Sequence, residues 1–138
     1  MSFTVAVVDE AGYSRLSKEA ATRTCGAAFT ARGLQLERIG EVSVALIDLD
    51  TIRDLNLRYR GKDSPTDVLT FTIDGMYGEM AGEILVAPEY VEGDAAAVEE
   101  LLVHGALHMT GMDHGEDFEA SEMHRVQGAV LKELGEAR

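Results

Sequence analysis

HGALHMTGMDH, residues His104 to His114, holds three of the four histidines in this 138-residue chain. Four residues are a little over one helical turn, so His104 and His108 project from one helix face, one above the other. A helix continuing to residue 114 would aim His114 elsewhere, and Gly111 supplies the break. A glycine just past a helix end takes the left-handed conformation cheaply and lets the chain turn back. His114 then returns from the following loop to complete a triangle of imidazoles. Two ligands on a helix and a third just after it bind zinc with one coordination position open. His104, His108 and His114 are the candidate metal ligands, for Zn2+ or another divalent transition ion, since imidazole suits zinc, copper, nickel and iron.

The same spacing occurs in the metzincin proteases, with one difference. Those carry Glu directly after the first histidine, as general base. Here that position is Gly105. The metal cage is present and the peptidase base is missing.

Outward from the motif, the preceding residues read as a helix from a cap at Asp94 to about Thr110. It is apolar almost all round (Leu101, Leu102, Val103, Ala106, Leu107), which predicts burial. After His114 an acidic stretch opens a last helix with Met123, Val126, Val130 and Leu134 on one stripe; His124 reads as a surface residue. Toward the N-terminus, Phe3 to Val8 reads as a strand. Ser14 to about Arg32 is a helix with Leu16, Ala20, Ala27, Ala28 and Ala31 near one face and Gly33 as its stop. Glu41 to Asp48 alternates Val42, Val44 and Leu46 against smaller residues, a strand with one strongly apolar face. Asp50 is the expected cap of a short helix in which Ile52, Leu55 and Tyr59 share a stripe. The polar loop RGKDSPTD leads to a strand from Val68 to Ile73. Another runs from Glu83 to Ala87. Met76, Tyr77 and Met80, in the connection between them, are candidates to line the substrate groove, with gap-filling under a loop the favoured expectation.

That order predicts an α+β fold. Residues 1–138 form one domain, a small mixed sheet of about four strands packed with about five helices, one of them a zinc-hydrolase-like metal helix. Hydrophobic content of 46% with two prolines fits a folded globular chain. No basic leader precedes the short apolar N-terminal run, and no segment approaches the roughly 18 apolar residues of a membrane span. The single Cys25 cannot form an internal disulfide and fits a reducing cytoplasm, as a core residue of the first helix. Net charge is −13, which argues against wrapping duplex nucleic acid, and no DNA partner is expected. Four of the twelve Lys and Arg residues nevertheless fall between Arg53 and Lys62.

That basic cluster opens the second constellation, LNLRYRGKDSPTDVLTF, Leu55 to Phe71. Together with HGALHMTGMDH it resembles the YbeY family of bacterial metal-dependent endoribonucleases, whose pattern runs approximately LN..YR.KD.PTDVLSF, GD[IV], HG.LHLLGYDH. The match takes in Leu55, Asn56, Tyr59, Arg60, Lys62, Asp63, Pro65 to Leu69 and Phe71, then Gly82, Ile84 and the three histidines with Gly105, Leu107, Gly111 and Asp113. Thr70 stands in place of Ser, Thr72 where Pro often follows Phe, Glu83 in place of Asp, and Met109, Thr110 and Met112 in place of Leu-Leu-Tyr. The resemblance implies a single-strand-specific endoribonuclease acting in 3′-end maturation of 16S ribosomal RNA and in ribosome quality control, with the small ribosomal subunit as partner.

The chemistry agrees. Zinc on three neutral imidazoles keeps a site for water and lowers that water's pKa toward neutrality. Phosphodiester cleavage piles negative charge on the phosphorus oxygens, and a planar guanidinium grips two of them at once. Arg60 is the candidate for that task, so the candidate catalytic residues are Arg60, His108 and His114. Arg58 and Lys62 are expected to hold flanking phosphates. Glu83 or a nearby Asp is a candidate assistant base. Asp113 and Asp117 are candidates to orient the histidines, and Asp63 and Asp67 to fix the loop through backbone hydrogen bonds. Two other readings compete: a peptidase or amidase, opposed by Gly105, and a ribosome-assembly factor with structural zinc, opposed by the missing fourth protein ligand.

Overall fold

A computed structural model describes residues 3–137. In chain order the elements are β1 (Val5–Asp9), α1 (Lys18–Ala31), β2 (Val42–Leu46), α2 (Leu49–Arg60), β3 (Val68–Asp74), β4 (Met80–Val86), α3 (Ala95–Met109) and α4 (Glu122–Glu136), with three short 3-10 turns between them. The sheet order is β1-β2-β4-β3. β1 pairs with β2 and β2 with β4 in parallel, while β3 and β4 form an antiparallel hairpin. This is the expected mixed four-stranded sheet, with four α-helices where about five were expected. β3 is an edge.

Strand alternation divides the core in two. Val42, Val44, Leu46, Ile84 and Val86 face the main cluster, which they share with Phe29 of α1, Leu102 and Leu107 of α3, and Met123 and Val130 of α4. Ala45, Leu69 and Leu85 point the other way and pack with Ile52 of α2. Each large apolar side chain removed from water contributes about 1.5–3 kcal/mol, so the three-helix side dominates. Cys25 lies inside it, and burial pushes its thiol up to about 12, which makes it an inert packing residue.

Helix starts follow local capping chemistry. Asp94 Oδ2 accepts from Ala97 N at 3.1 Å, as expected for α3. For α2 the cap is Asp48, whose Oδ1 accepts from Thr51 N at 2.8 Å. Asp48 is extended while Asp50 already lies in the first helical turn, so the cap falls two residues earlier than expected. The first helix starts later than Ser14. That residue sits at φ 64°, with the Asp9 carboxylate accepting from Tyr13 N and Ser14 N, and Ser17 caps the helix instead.

Two expectations of burial fail. On α2, Ile52 and Asn56 take the buried positions, and Tyr59 turns outward with 60% of its surface exposed. At the β3–β4 hairpin, Met80 packs on the core, but Met76 and Tyr77 stand almost wholly in water. Both lie in the exposed turn between the two strands, where they meet water and not a core.

Candidate metal centre and its cleft

Gly105 shows why the metal helix can lie where it does. A Cβ there would sit 2.6 Å from Ile84 Cγ2, 3.1 Å from Val68 Cγ2 and 3.2 Å from Thr70 Oγ1. Ordinary carbon contacts begin about 3.5 Å apart, so this position admits no side chain while α3 keeps its distance from the sheet. Thr70 Oγ1 donates to the Gly105 carbonyl at 3.1 Å and fastens the helix to β3. The missing peptidase glutamate is thus excluded by packing.

At the end of α3, Gly111 takes φ 99°, its N–H donates to His108 O, and Met112 N donates to Leu107 O. The chain turns back as expected, and the ring nitrogens of His104, His108 and His114 come within 4.8 Å of one another. Each Nδ1 has an oxygen partner. His104 Nδ1 meets Gln127 Oε1 at 2.9 Å, His108 Nδ1 the Met112 carbonyl at 3.0 Å, and His114 Nδ1 the Gly115 carbonyl at 2.8 Å. Those oxygens accept, so the protons reside on Nδ1 and each Nε2 keeps a lone pair.

The Nε2 atoms of His104 and His108 are 3.1 Å apart. That is close to the spacing of two nitrogens each about 2.0–2.1 Å from one tetrahedral zinc. Two lone pairs facing at that distance repel unless a cation lies between them. Protonation is opposed, because burial holds both His104 and His108 below the usual histidine range. For His104 the Gln127 hydrogen bond pulls the other way, and for His108 the Met112 carbonyl does; desolvation outweighs both. The donor set fits a divalent transition ion.

An open cleft of about 690 Å³ surrounds the three imidazoles, and Arg60, Asp67, Thr70, Thr72, Asp113 and Phe118 also line it. Arg60 is the last residue of α2. Gly61 ends the helix at φ 71°, and buried Asn56 holds the next loop by donating from Nδ2 to Ser64 O at 2.9 Å. On the far wall the free edge of β3 faces the cleft. Ala87 N donates to Asp67 O and Gly75 N to Glu79 O, which sets odd-numbered residues of β3 to bond β4. Thr70 and Thr72 therefore direct their backbone N–H and C=O groups away from the sheet.

Other candidates lie elsewhere. Arg58 and Lys62 are exposed and do not line the cleft. Glu83 belongs to the opposite sheet face, within reach of Ser43 Oγ at 3.3 Å, and cannot serve as a base here. Asp113 caps the His114 N–H and Asp117 caps Ala120 N, so neither orients an imidazole through Nδ1. Asp67 fixes its loop as expected by accepting from Val68 N at 2.8 Å, but Asp63 pairs with the Arg53 side chain instead.

Two residues were not singled out from the sequence. Gln127 is a polar residue on the buried stripe of α4, and that interruption is the signal that could have found it. Phe118 stacks edge-to-face on His104 and His114, each with ring centroids 4.9 Å away, and on exposed His124. It lies four positions after His114, a spacing that carries no signal in a loop.

A family profile described as Endoribonuclease YbeY matches residues 6–135, which takes in both the basic loop and all three histidines. The chain belongs to the YbeY family. A YbeY relative from Rubrobacter xylanophilus, named Endoribonuclease YbeY, is 57% identical over 133 residues, covering 96% of each chain. Another of that name, from Azorhizobium caulinodans, is 35% identical over 143 residues, covering 94% of this chain and 90% of its own. The solution structure of TM1509 from Thermotoga maritima is similar with a TM-score of 0.58 and 32% identity, across 97% of this chain and 91% of that one. Among the described residues no helix is long and apolar enough to cross a membrane.

Proposed function

We propose that this chain is a metal-dependent endoribonuclease of single-stranded RNA, with His104, His108 and His114 as ligands of one Zn2+ or a similar divalent ion. The observation that carries the reading is that Arg60 lines the same open cleft as the three imidazoles. A bound ion there supplies Lewis acidity toward a phosphoryl oxygen and lowers the pKa of a water. The Arg60 guanidinium grips the phosphate, orients it against the imidazole triangle and offsets the charge that grows on its oxygens. Phe118 covers one side of the imidazoles and limits water. Gly105 leaves no peptidase base, which weighs against a protein substrate.

The chain's net charge of −13 repels RNA everywhere except near the Arg58 to Lys62 segment. That favours accessible single strands delivered by a partner over duplexes. Ribosomal RNA is the substrate this predicts, in maturation of the 16S 3′ end and in ribosome quality control, in the cytoplasm. Basic proteins of the small subunit are suited to dock the acidic surface. The test is cleavage of matched single-stranded and duplex RNAs by chelator-stripped protein before and after zinc is restored. Zinc-dependent cutting of the single strand alone supports the reading, while chelator-insensitive cutting or equal cutting of the duplex overturns it.

A further inference from the structure

Tyr59 is held in an unusual position for an aromatic side chain. It sits next to Arg60 on the last turn of α2, yet 60% of the residue's surface is exposed. Its one ring partner among the described residues is Phe71, edge-to-face with centroids 5.1 Å apart and planes at 69°. That single edge contact leaves most of the Tyr59 surface open to water. Phe71 in turn lies between Thr70 and Thr72, both of which line the metal cleft. Its side chain emerges on the opposite face of β3, so the ring pair sits one strand's thickness from the candidate reaction centre, across a free sheet edge.

The charge around the ring is complementary to one class of ligand. In a strongly acidic chain, Arg58, Arg60 and Lys62 cluster on the residues flanking Tyr59. Among the described residues the ion pair of this region joins Arg53 to Asp63 and uses none of those three. All three are exposed, and an exposed aromatic on a segment rich in cations is suited to single-stranded nucleic acid, stacking a base while the cations track phosphates. An apolar peptide would gain nothing from the three cations.

We propose that Tyr59, seated on Phe71, is a stacking platform for one nucleobase of the RNA, adjacent to the phosphate that Arg60 holds. This rests on the endoribonuclease reading and adds a base subsite to it. The strand crosses the β3 edge, with the reacting phosphate in the cleft and the neighbouring base on Tyr59. Because stacking accepts any base, the subsite selects for unpaired character and not for sequence.

A single-stranded RNA carrying 2-aminopurine tests this, since its fluorescence is quenched on stacking and the chain has no tryptophan to confuse the signal. Wild-type protein is expected to quench one 2-aminopurine position. Tyr59→Phe should retain the quench. Tyr59→Leu, which keeps the apolar contact with Phe71 and hence the fold, should lose it and bind roughly 5- to 150-fold more weakly. Equal quench and affinity in wild type and Tyr59→Leu would overturn the subsite while leaving the endoribonuclease reading intact. No RNA binding by wild type would overturn both.

Discussion

Gln127 Oε1 on α4 lies 2.9 Å from His104 Nδ1 on α3, and this contact fixes which nitrogen of that imidazole is free for a metal. Gln127 is nearly buried, so its amide has little water to exchange with, and the helix stripe that carries it also builds the core. The last helix therefore does two jobs: Met123, Val130 and Leu134 hold it in place, and Gln127 uses that rigidity to aim a ligand. Gln127→Met keeps the volume and removes the acceptor. Metal affinity, read by competition with a chelator, is expected to fall about 10- to 100-fold with the fold retained.

Gly105→Ala tests the closeness of α3 to the sheet. Alanine favours a helix over glycine by about 1 kcal/mol, which would stabilise an exposed site. Here the added methyl meets Ile84 and Val68, both buried and β-branched, and overpacking of that kind costs about 1–3 kcal/mol. Net destabilisation of up to about 2 kcal/mol is expected, read as a Tm lowered by several degrees. An unchanged or raised Tm would show that the helix can back away.

Acid should weaken the metal-free protein through the same histidines. His104 and His108 titrate below their ordinary value of 6.5 because burial disfavours the charged ring. The folded state then binds fewer protons than the unfolded chain, so stability is full above about pH 6.5 and is lost as pH falls through the depressed values. Thermal melts of chelator-treated protein across that range should show Tm falling, with a shallower fall in a variant carrying His104→Gln and His108→Gln. An equally steep fall in that variant would assign the effect to carboxylates.

Metal should stabilise the fold. Binding to the native state alone adds about 2.7 kcal/mol at a free ion concentration 100 times Kd. Zinc is expected to raise the wild-type Tm and to leave that of a variant with all three histidines changed to Ala unmoved.

Much of this was legible in the sequence because its causes are local. The H-x3-H spacing, the Gly111 turn, the Asp94 cap and the alternation of Val42, Val44 and Leu46 each depend on neighbours a few residues away, and each appears as expected. What was misread depends on distant partners. Glu83 fell on the wrong side because strand parity against α3 is decided by the register of β4. Asp113 and Asp117 were plausible orienters by proximity, but a helix 23 residues away from His104 supplies the acceptor. Tyr59 fitted an apolar stripe whose Ile52 and Leu55 do pack on the core, and only the tertiary burial of Asn56 shows that the buried face turns away from Tyr59.

The grouping of Arg60 with the imidazole triangle is the centre of the account. Cleavage of a labelled single-stranded RNA by the zinc-loaded protein, beside Arg60→Ala and His108→Ala prepared identically, tests it most directly. Wild type is expected to cut, and Arg60→Ala to lose about 10²- to 10³-fold in rate while still binding zinc. His108→Ala should lose both zinc and cutting, with both variants folded. Equal cleavage by all three proteins would contradict it.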